Sequence, residues 1–305
     1  MSFWLLRRLG WMLLTVWAVF TVSFILMRSV PGGPFDEARA VPEDVRRAIE
    51  ARYHLDRPLI EQYLEQLGGY LRLDPGPSFR QPDYSVGEII AEGLGPSLLL
   101  GALAIILALA IGIFAGSTAA LRAGSFGDQL VMVAATLGLA LPGFVIAGLL
   151  VLTVSFHLGW LPPAGWEGPA SLVLPVLCLA LPHAAAIARL TRTGLIESLG
   201  QDWARTARAK GLSKRQVVLR HALRPALLPV VSYLGPATAA VLTGSLVIEQ
   251  IFAIPGLGPH FVQSALNRDY PLAMGVVILY TVLVASMNLL ADIAYRWLDP
   301  RVELR

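Results

Sequence analysis

Six apolar runs, each about as long as a bilayer is thick, most constrain what this chain can fold into. A helix needs about 20 predominantly apolar residues to cross the hydrocarbon core. Six such runs are present, at about 9–28, 95–121, 130–156, 170–188, 226–248 and 272–294. Hydrophobic residues make up 55% of the 305 positions and charged residues only 15%, with a mean hydropathy of +0.63, which excludes an ordinary soluble domain. The sequence therefore predicts an all-α membrane protein with six transmembrane helices.

The distribution of charge predicts how these helices are oriented. Short cytoplasmic loops of membrane proteins are enriched in Lys and Arg. If both termini are cytoplasmic, that side holds 15 of the 24 Lys and Arg residues but only 6 of the 21 Asp and Glu residues. The first run, from Leu9 to Met27, is longer than the apolar part of a signal peptide, so it is expected to be a retained anchor. The prediction is therefore N-in and C-in.

The apolar runs divide the chain into three predicted parts. Residues 1–28 form the N-terminus and first span, and residues 29–97 form an extracytoplasmic helical region. Residues 95–305 form a five-span core that contains a cytoplasmic loop at 189–225.

The 29–97 region has its own helical pattern. Apolar residues recur at helical spacing after Pro42 and again after Pro58, which predicts two amphipathic helices. The second helix is predicted to stop at the glycine pair at 68–69. These helices form either a small cap that packs on the membrane part or a ledge on which a soluble protein docks.

The most basic part of the chain lies between the fourth and fifth runs. Nine Lys and Arg residues but only two acids fall within 189–224. A short helix is predicted to begin at Asp202, a favourable N-cap, and to end before Gly211, which suits the left-handed conformation found at helix ends. Ser213 and Gln216 have the spacing of a capping box for a second helix. On charge alone, an ordinary solvated loop is an equally good interpretation.

The order of residues in this loop resembles that of ABC-importer permeases, in which a short cytoplasmic helix docks into an ATPase subunit. The generic family motif has Glu and Ile where this chain has Arg205 and His221, whereas the dipeptide and oligopeptide branch has an RTARAKG-type sequence. Further segments are similar to B-type permease subunits of the oligopeptide branch: PGGPF (31–35), YHLDRPLIEQY (53–63), GPSFRQPDYSV (76–86), GPA and TGSLVIEQIF (235–252), PGLG (255–258) and ALNRDYP (265–271). By this resemblance the chain is identified as a member of the dipeptide, oligopeptide and nickel branch.

The resemblance implies a fold, a location and a set of partners. The fold is that of a type I ABC-importer permease with a helical insertion after the first span, in the bacterial cytoplasmic membrane. The partners are a sister permease subunit, two cytoplasmic ATPase subunits and an extracytoplasmic substrate-binding protein. The cargo is an oligopeptide or dipeptide, with nickel chelates and glutathione-like conjugates as alternatives in the same family. A homodimeric conduit made of this chain alone is a further alternative.

The same resemblance assigns the coupling of ATPase movement to the helix within 202–211. The residues expected to contact the ATPase are Trp203, Ala204, Arg205, Thr206, Ala207, Arg208, Lys210 and Gly211. Arg192 lies outside this helix, and a change of its charge is expected to have a much smaller effect.

Several chemistries are not predicted. The sequence contains no G-x-x-x-x-G-K-[ST], no H-E-x-x-H and no Cys/His cluster with metal-ligand spacing. It is therefore predicted to be a transport subunit without catalytic, cofactor or metal residues, with no nucleic-acid partner and with ATP bound by its partners. An ion-coupled secondary transporter would need charged sites near the middle of the membrane, and a membrane-embedded enzyme would need a catalytic set at one depth. Neither pattern is present.

A few residues inside the runs are candidates for the path or a hinge: Pro142, His183, Gly235, Pro236 and Glu249. His183 is either hydrogen-bonded between helices or part of a proton relay. Leu141-Pro142, Leu181-Pro182 and Gly235-Pro236 are each predicted to interrupt a span, with Gly235-Pro236 as the preferred hinge. Gly112 and Gly116 have the small-xxx-small spacing of a close helix contact, and Cys178 is expected to have only a packing role.

Overall fold

The computed structural model describes residues 2–29 and 53–298, and its regular elements are helices. Their order is α1 (Ser2–Ser29), α2 (Leu59–Leu71), α3 (Val86–Leu121), α4 (Phe126–Ala140), α5 (Gly143–Leu150) continued by π-helical turns (Val151–His157), α6 (Pro169–Gly200), α7 (Asp202–Ala209), α8 (Lys214–Val217) continued by π-helical turns (Val218–Ala222), α9 (Leu223–Ala226), α10 (Leu228–Ile251), α11 (Leu257–Leu266) and α12 (Tyr270–Leu298). An isolated antiparallel bridge joins Pro77 and Ser85. The predicted all-α class is confirmed.

Five of these helices are long and apolar enough to cross a membrane: α1, α3, α6, α10 and α12. The third predicted span, 130–156, is not one helix. It consists of α4 and of α5 with its π-helical turns, and the helix direction bends by 108° between these two arms. The break lies at Leu141, which has extended backbone angles (φ −84°, ψ 127°), because a residue before proline is disfavoured in the helical conformation. The orientation N-in and C-in stays a prediction.

The other two predicted interruptions are wrong. Helix α6 continues through Pro182, and α10 continues through Pro236. Proline removes one helical hydrogen bond, but membrane helices tolerate this where neighbouring groups satisfy the backbone. Helix α6 also extends twelve residues beyond the predicted end of its span at 188, to Gly200, because hydropathy marks only the apolar part of a helix.

The fold comprises two compact units, Met1–Pro96 with Pro255–Val282 and Ser97–Ile254 with Leu283–Arg305. The first unit has a core where Phe20 and Phe24 of α1 contact the Tyr63 ring of α2 edge to face, with centroids 5.3 Å apart in both pairs. Met274 of α12 is buried in the same cluster. The predicted parts follow the order of the spans, whereas these units reflect packing between distant segments.

Asp269 connects two loops of the first unit and is buried there. Its carboxylate accepts hydrogen bonds from the Ser78 hydroxyl and from the Phe79 backbone N–H at 3.1 Å. The Tyr70 hydroxyl donates to the Pro271 carbonyl at 3.2 Å, and burial raises the pKa of Tyr70, so this hydroxyl keeps its proton. The loop at 76–81 is thereby fixed to the start of α12.

The predicted helices of the 29–97 region have different outcomes. The helix expected after Pro42 lies outside the described residues, which resume at position 53. The second helix is confirmed, but it continues through Gly68 and Gly69 and ends at Leu71. A Cβ on Gly69 would lie 2.5 Å from the Asp74 carbonyl oxygen. Glycine therefore permits a close backbone approach here and does not end the helix.

The second unit is built around α6. Its core contains buried small and aliphatic residues of several helices, among them Cys178, so the packing role expected of that cysteine is confirmed. The predicted close contact at Gly112 and Gly116 is confirmed as well. A Cβ on Gly112 would lie 2.7 Å from the Ile187 Cβ, and one on Gly116 would lie 2.8 Å from the Thr191 Cβ. Glycine is needed at both positions because α3 and α6 approach so closely.

Candidate functional site

The candidate site is the segment from the end of α6 to α9, which contains the predicted coupling helix. Residues 189–200, predicted as loop, are the last turns of α6. Leu195 is fully buried, and the Ser198 hydroxyl donates to the Ala222 carbonyl at 3.0 Å. The segment therefore leaves α6 and returns to pack against it.

The short helix is present as α7, Asp202–Ala209, but its N-terminus differs from the prediction. Gln201 is the N-cap and makes no side-chain capping hydrogen bond, while Asp202 is already helical. Asp202 is nevertheless favourable there, because a carboxylate in the first turn interacts well with the positive end of the helix dipole. Only Ala204 of this helix is buried.

The C-terminus of α7 is fixed by its backbone. Gly211 has φ +84°. Its N–H donates to the Arg208 carbonyl at 3.0 Å, and the Leu212 N–H donates to the Ala207 carbonyl at 3.3 Å. These two bonds form a Schellman motif, which confirms that Gly211 ends the helix in the left-handed conformation. The backbone therefore fixes where α7 ends and the direction in which the chain leaves it.

Side chains of α7 fall into two groups. The Arg208 guanidinium donates to the Ala204 carbonyl at 3.1 Å and to the Leu199 carbonyl at 3.3 Å, so it stabilises the corner between α6 and α7. Arg205 is instead 74% exposed, with an ion pair of 3.7 Å to Asp202. Trp203 is also partly exposed, and its ring centroid lies 6.4 Å from that of His221. Trp203 and Arg205 are therefore available to a partner.

The capping box after Gly211 is confirmed. The Ser213 side chain accepts from the Gln216 N–H, and the Gln216 side chain accepts from the Ser213 N–H. Lys214, the first residue of α8, donates from Nζ to the Leu121 carbonyl at the end of α3, at 3.2 Å. Val218, Ala222 and Ala226 then form a buried cluster with Leu195 and Ala120. The residues after α7 are therefore anchored on α3 and α6.

Sequence reasoning missed one polar pair beside this segment. Arg192 of α6 donates to both carboxylate oxygens of Asp128 in α4, with Nε–Oδ1 and Nη2–Oδ2 distances of 2.5 and 2.7 Å. Asp128 is only 3% exposed. Arg192, predicted to lie in the cytoplasmic loop, belongs to α6, and its partner lies 64 residues away in the chain. The smaller effect expected of a change in its charge stays a prediction. In the sequence, the only sign of a special role for Asp128 is its position three residues after Ser125, the residue that caps α4.

The path and hinge candidates lie on α5, α6 and α10. His183 and Tyr233 are 2.9 Å apart (Nδ1 to Oη), which supports a histidine hydrogen-bonded between α6 and α10. Gly235 permits close packing, since a Cβ there would lie 2.6 Å from Oδ1 of Asn288 in α12. Glu249 is buried in the last turns of α10, and Pro142 is the N-cap of α5. The hinge and path roles stay predictions.

Comparison with known proteins places the chain in a family. Residues 108–304 match the family described as "Binding-protein-dependent transport system inner membrane component". The chain is 44% identical to the dipeptide transport system permease protein DppB of Bacillus subtilis, over 100% of this chain and 99% of that protein. It is 44% identical to the oligopeptide transport system permease protein OppB of Escherichia coli K12, with 98% of each chain covered.

Solved structures agree on the fold. The inward-facing MetNI methionine ABC transporter has a chain that matches 69% of this chain and 96% of its own length, with a TM-score of 0.56 and 18% identity. An amino acid ABC transporter crystallised with histidines matches the same share of this chain with a TM-score of 0.54. The chain therefore belongs to the family of binding-protein-dependent transport system inner membrane components, and it is a multi-pass permease subunit of a bacterial inner membrane.

Proposed function

We propose that this permease subunit forms half of a path that carries oligopeptides or dipeptides into the cytoplasm. The support is the similarity over the full length of the chain to proteins named as dipeptide and oligopeptide permeases. Those names favour peptides over nickel chelates or glutathione-like conjugates. The second half of the path is a sister permease subunit, and an extracytoplasmic binding protein delivers the peptide.

Helix α7 is proposed as the contact with an ATPase subunit. Its length of eight residues corresponds to about 12 Å at 1.5 Å per residue, which suits a cleft. It presents Trp203 and Arg205 to the outside, while Ala204 and Arg208 attach it to the rest of the unit. The Schellman motif at Gly211 keeps that presentation fixed. A solvated loop would need neither the buried alanine nor the Schellman motif at Gly211.

ATP is bound and hydrolysed by the partner subunits in this proposal, and this chain holds no cofactor. Closure of the ATPases moves α7, and the movement reaches the membrane as a rigid-body rearrangement. Only Gln201 separates α7 from α6, whereas α8, the π-helical turns and α9 lie between α7 and α10. Helix α6 is therefore the more direct connection between α7 and the membrane. A hinge at Gly235-Pro236 in α10 bends only after α6 has moved.

The test is peptide uptake by the complex reconstituted in vesicles with its ATPases and binding protein. Defined peptides should enter only with ATP, and Arg205→Glu should lower uptake, because it reverses a charge presented to the ATPase. Its control is Arg215→Glu, which changes the charge of the same loop at an exposed position of α8. Equal uptake by both variants and the parent would remove α7 from the mechanism, and uptake without ATP would overturn the proposed function itself.

A further inference from the structure

The Asp128–Arg192 pair joins α4 to α6 within the second unit. Asp128 lies in the first turn of α4, directly after the short turn that follows α3. Its carboxylate also accepts from the Gly124 N–H at 2.9 Å, so it holds the 122–125 turn as well as Arg192. One buried carboxylate thereby fixes the turn, α4 and α6 to each other.

The geometry of this pair fixes the orientation of the two groups. An arginine that binds a carboxylate with two parallel hydrogen bonds fixes both the distance and the angle between the groups. Asp128 is 3% exposed and Arg192 is 27% exposed, so the pair is partly buried. Its two-point contact restrains the register of α4 against α6.

A second hydrogen bond connects the residues after α7 to the end of α3, next to the same turn. Lys214 donates to the Leu121 carbonyl, immediately before the 122–125 turn. Along the chain, Arg192 precedes α7 and Lys214 follows it. Both flanks of α7 are therefore bound to the junction between α3 and α4. Ala120 of α3, Leu195 of α6 and Ala222, which follows α8, also pack together in one buried cluster.

We propose that Asp128 and Arg192 are positioning residues that make α7, the α3–α4 turn and the start of α4 move as one body. This inference rests on the proposed role of α7. Helix α4 is one arm of the bent pair, so displacement of its start moves the 108° bend at Leu141. The pair thus supplies a second connection from α7 into the membrane, beside the direct one through α6.

The decisive measurement is a distance inside the full complex. Spin labels are attached to Gln129→Cys in α4 and Ala209→Cys in α7, both at exposed positions, while the buried Cys178 stays unreacted. With the pair intact, we expect one narrow distance distribution, unchanged between the nucleotide-free and ATP-trapped states. Asp128→Asn should broaden the distribution and make it differ between the two states. Arg192→Lys, which keeps the charge and loses the two-point contact, should do the same to a smaller extent.

Transport gives the second readout. In Asp128→Asn, peptide uptake per ATP hydrolysed should fall, while the ATPases stay bound. The matched controls are Arg189→Gln and Glu197→Gln, exposed charges on the same helix, which should change neither readout.

An unchanged distance distribution in both variants, or a loss of uptake that only follows the amount of assembled complex, would show that the pair is merely structural. The distance between the two spin labels can be measured without any cargo and in a complex that keeps Arg205. A failure of this inference is therefore distinguishable from a failure of the proposed function.

Discussion

Individual glycines show which residue roles a sequence can reveal. The sequence predicts that Gly211 ends a helix, and its φ of +84° confirms it, because all the groups involved lie within five residues. The same reasoning predicts a helix end at Gly69, but the role of this glycine is to accommodate the Asp74 carbonyl. Arg192 could not be assigned from sequence at all, since its partner lies in another helix. Local conformational roles are predictable, whereas roles set by tertiary contacts are not.

At the residue scale, Gly211→Ala should destabilise the end of α7. A Cβ at this position meets nothing within 4 Å, so the cost is backbone strain alone, about 1–2 kcal/mol for a residue with a Cβ in the left-handed region. We expect lower uptake with the ATPases still bound. Gly200→Ala is the matched control, because it lies in the same segment with open space and no positive φ. Unfolding and uptake assays on both variants check this, and equal behaviour would contradict it.

The five membrane-crossing helices and the bent pair were predictable in approximate place, but not in length or continuity. Hydropathy located α6 and missed its last twelve residues, since those are held by burial of Leu195 and by the Ser198 hydrogen bond. Of the three proline sites predicted to interrupt a span, only the one at 142 breaks a helix. Whether proline breaks or only interrupts the hydrogen bonding of a helix depends on what packs around it.

At the element scale, Gly116→Val should separate α3 from α6. The added side chain would overlap Thr191, whose Cβ lies 2.8 Å from the point that a Cβ at 116 would occupy. Overpacking of this kind costs about 1–3 kcal/mol. Gly148→Val is the control, since a Cβ there meets nothing within 4 Å. The thermal aggregation midpoint of the detergent-purified protein should fall clearly for Gly116→Val and stay near that of the parent for Gly148→Val.

For the whole molecule, composition and the order of motifs were enough to predict class and family. The membership of each compact unit was not predictable, because it depends on pairs such as Ser78 and Asp269, which are 191 positions apart. No local pattern encodes such a pair. The candidate coupling segment was found from residue order, whereas its attachment to α3 and α4 required the structure.

The prediction at this scale concerns topology. A cysteine at Glu61, an exposed position of α2, should react with an impermeant maleimide in intact cells whose outer membrane has been permeabilised. A cysteine at Arg215 should react only after the inner membrane is opened, because the basic loop is retained in the cytoplasm. The native Cys178 is buried and should contribute no background. The reverse pattern of labelling would overturn the N-in arrangement.

The bent pair also constrains how this protein is made. Helix α4 has 15 residues, which extend about 22 Å at 1.5 Å per residue, whereas the hydrocarbon core is about 30 Å thick. Neither arm of the pair is then an adequate membrane anchor by itself during synthesis. The buried face of α4 and the Asp128 carboxylate both depend on α6, which leaves the ribosome later. We therefore expect the nascent chain to complete the insertion of this region only after α6 has been translated.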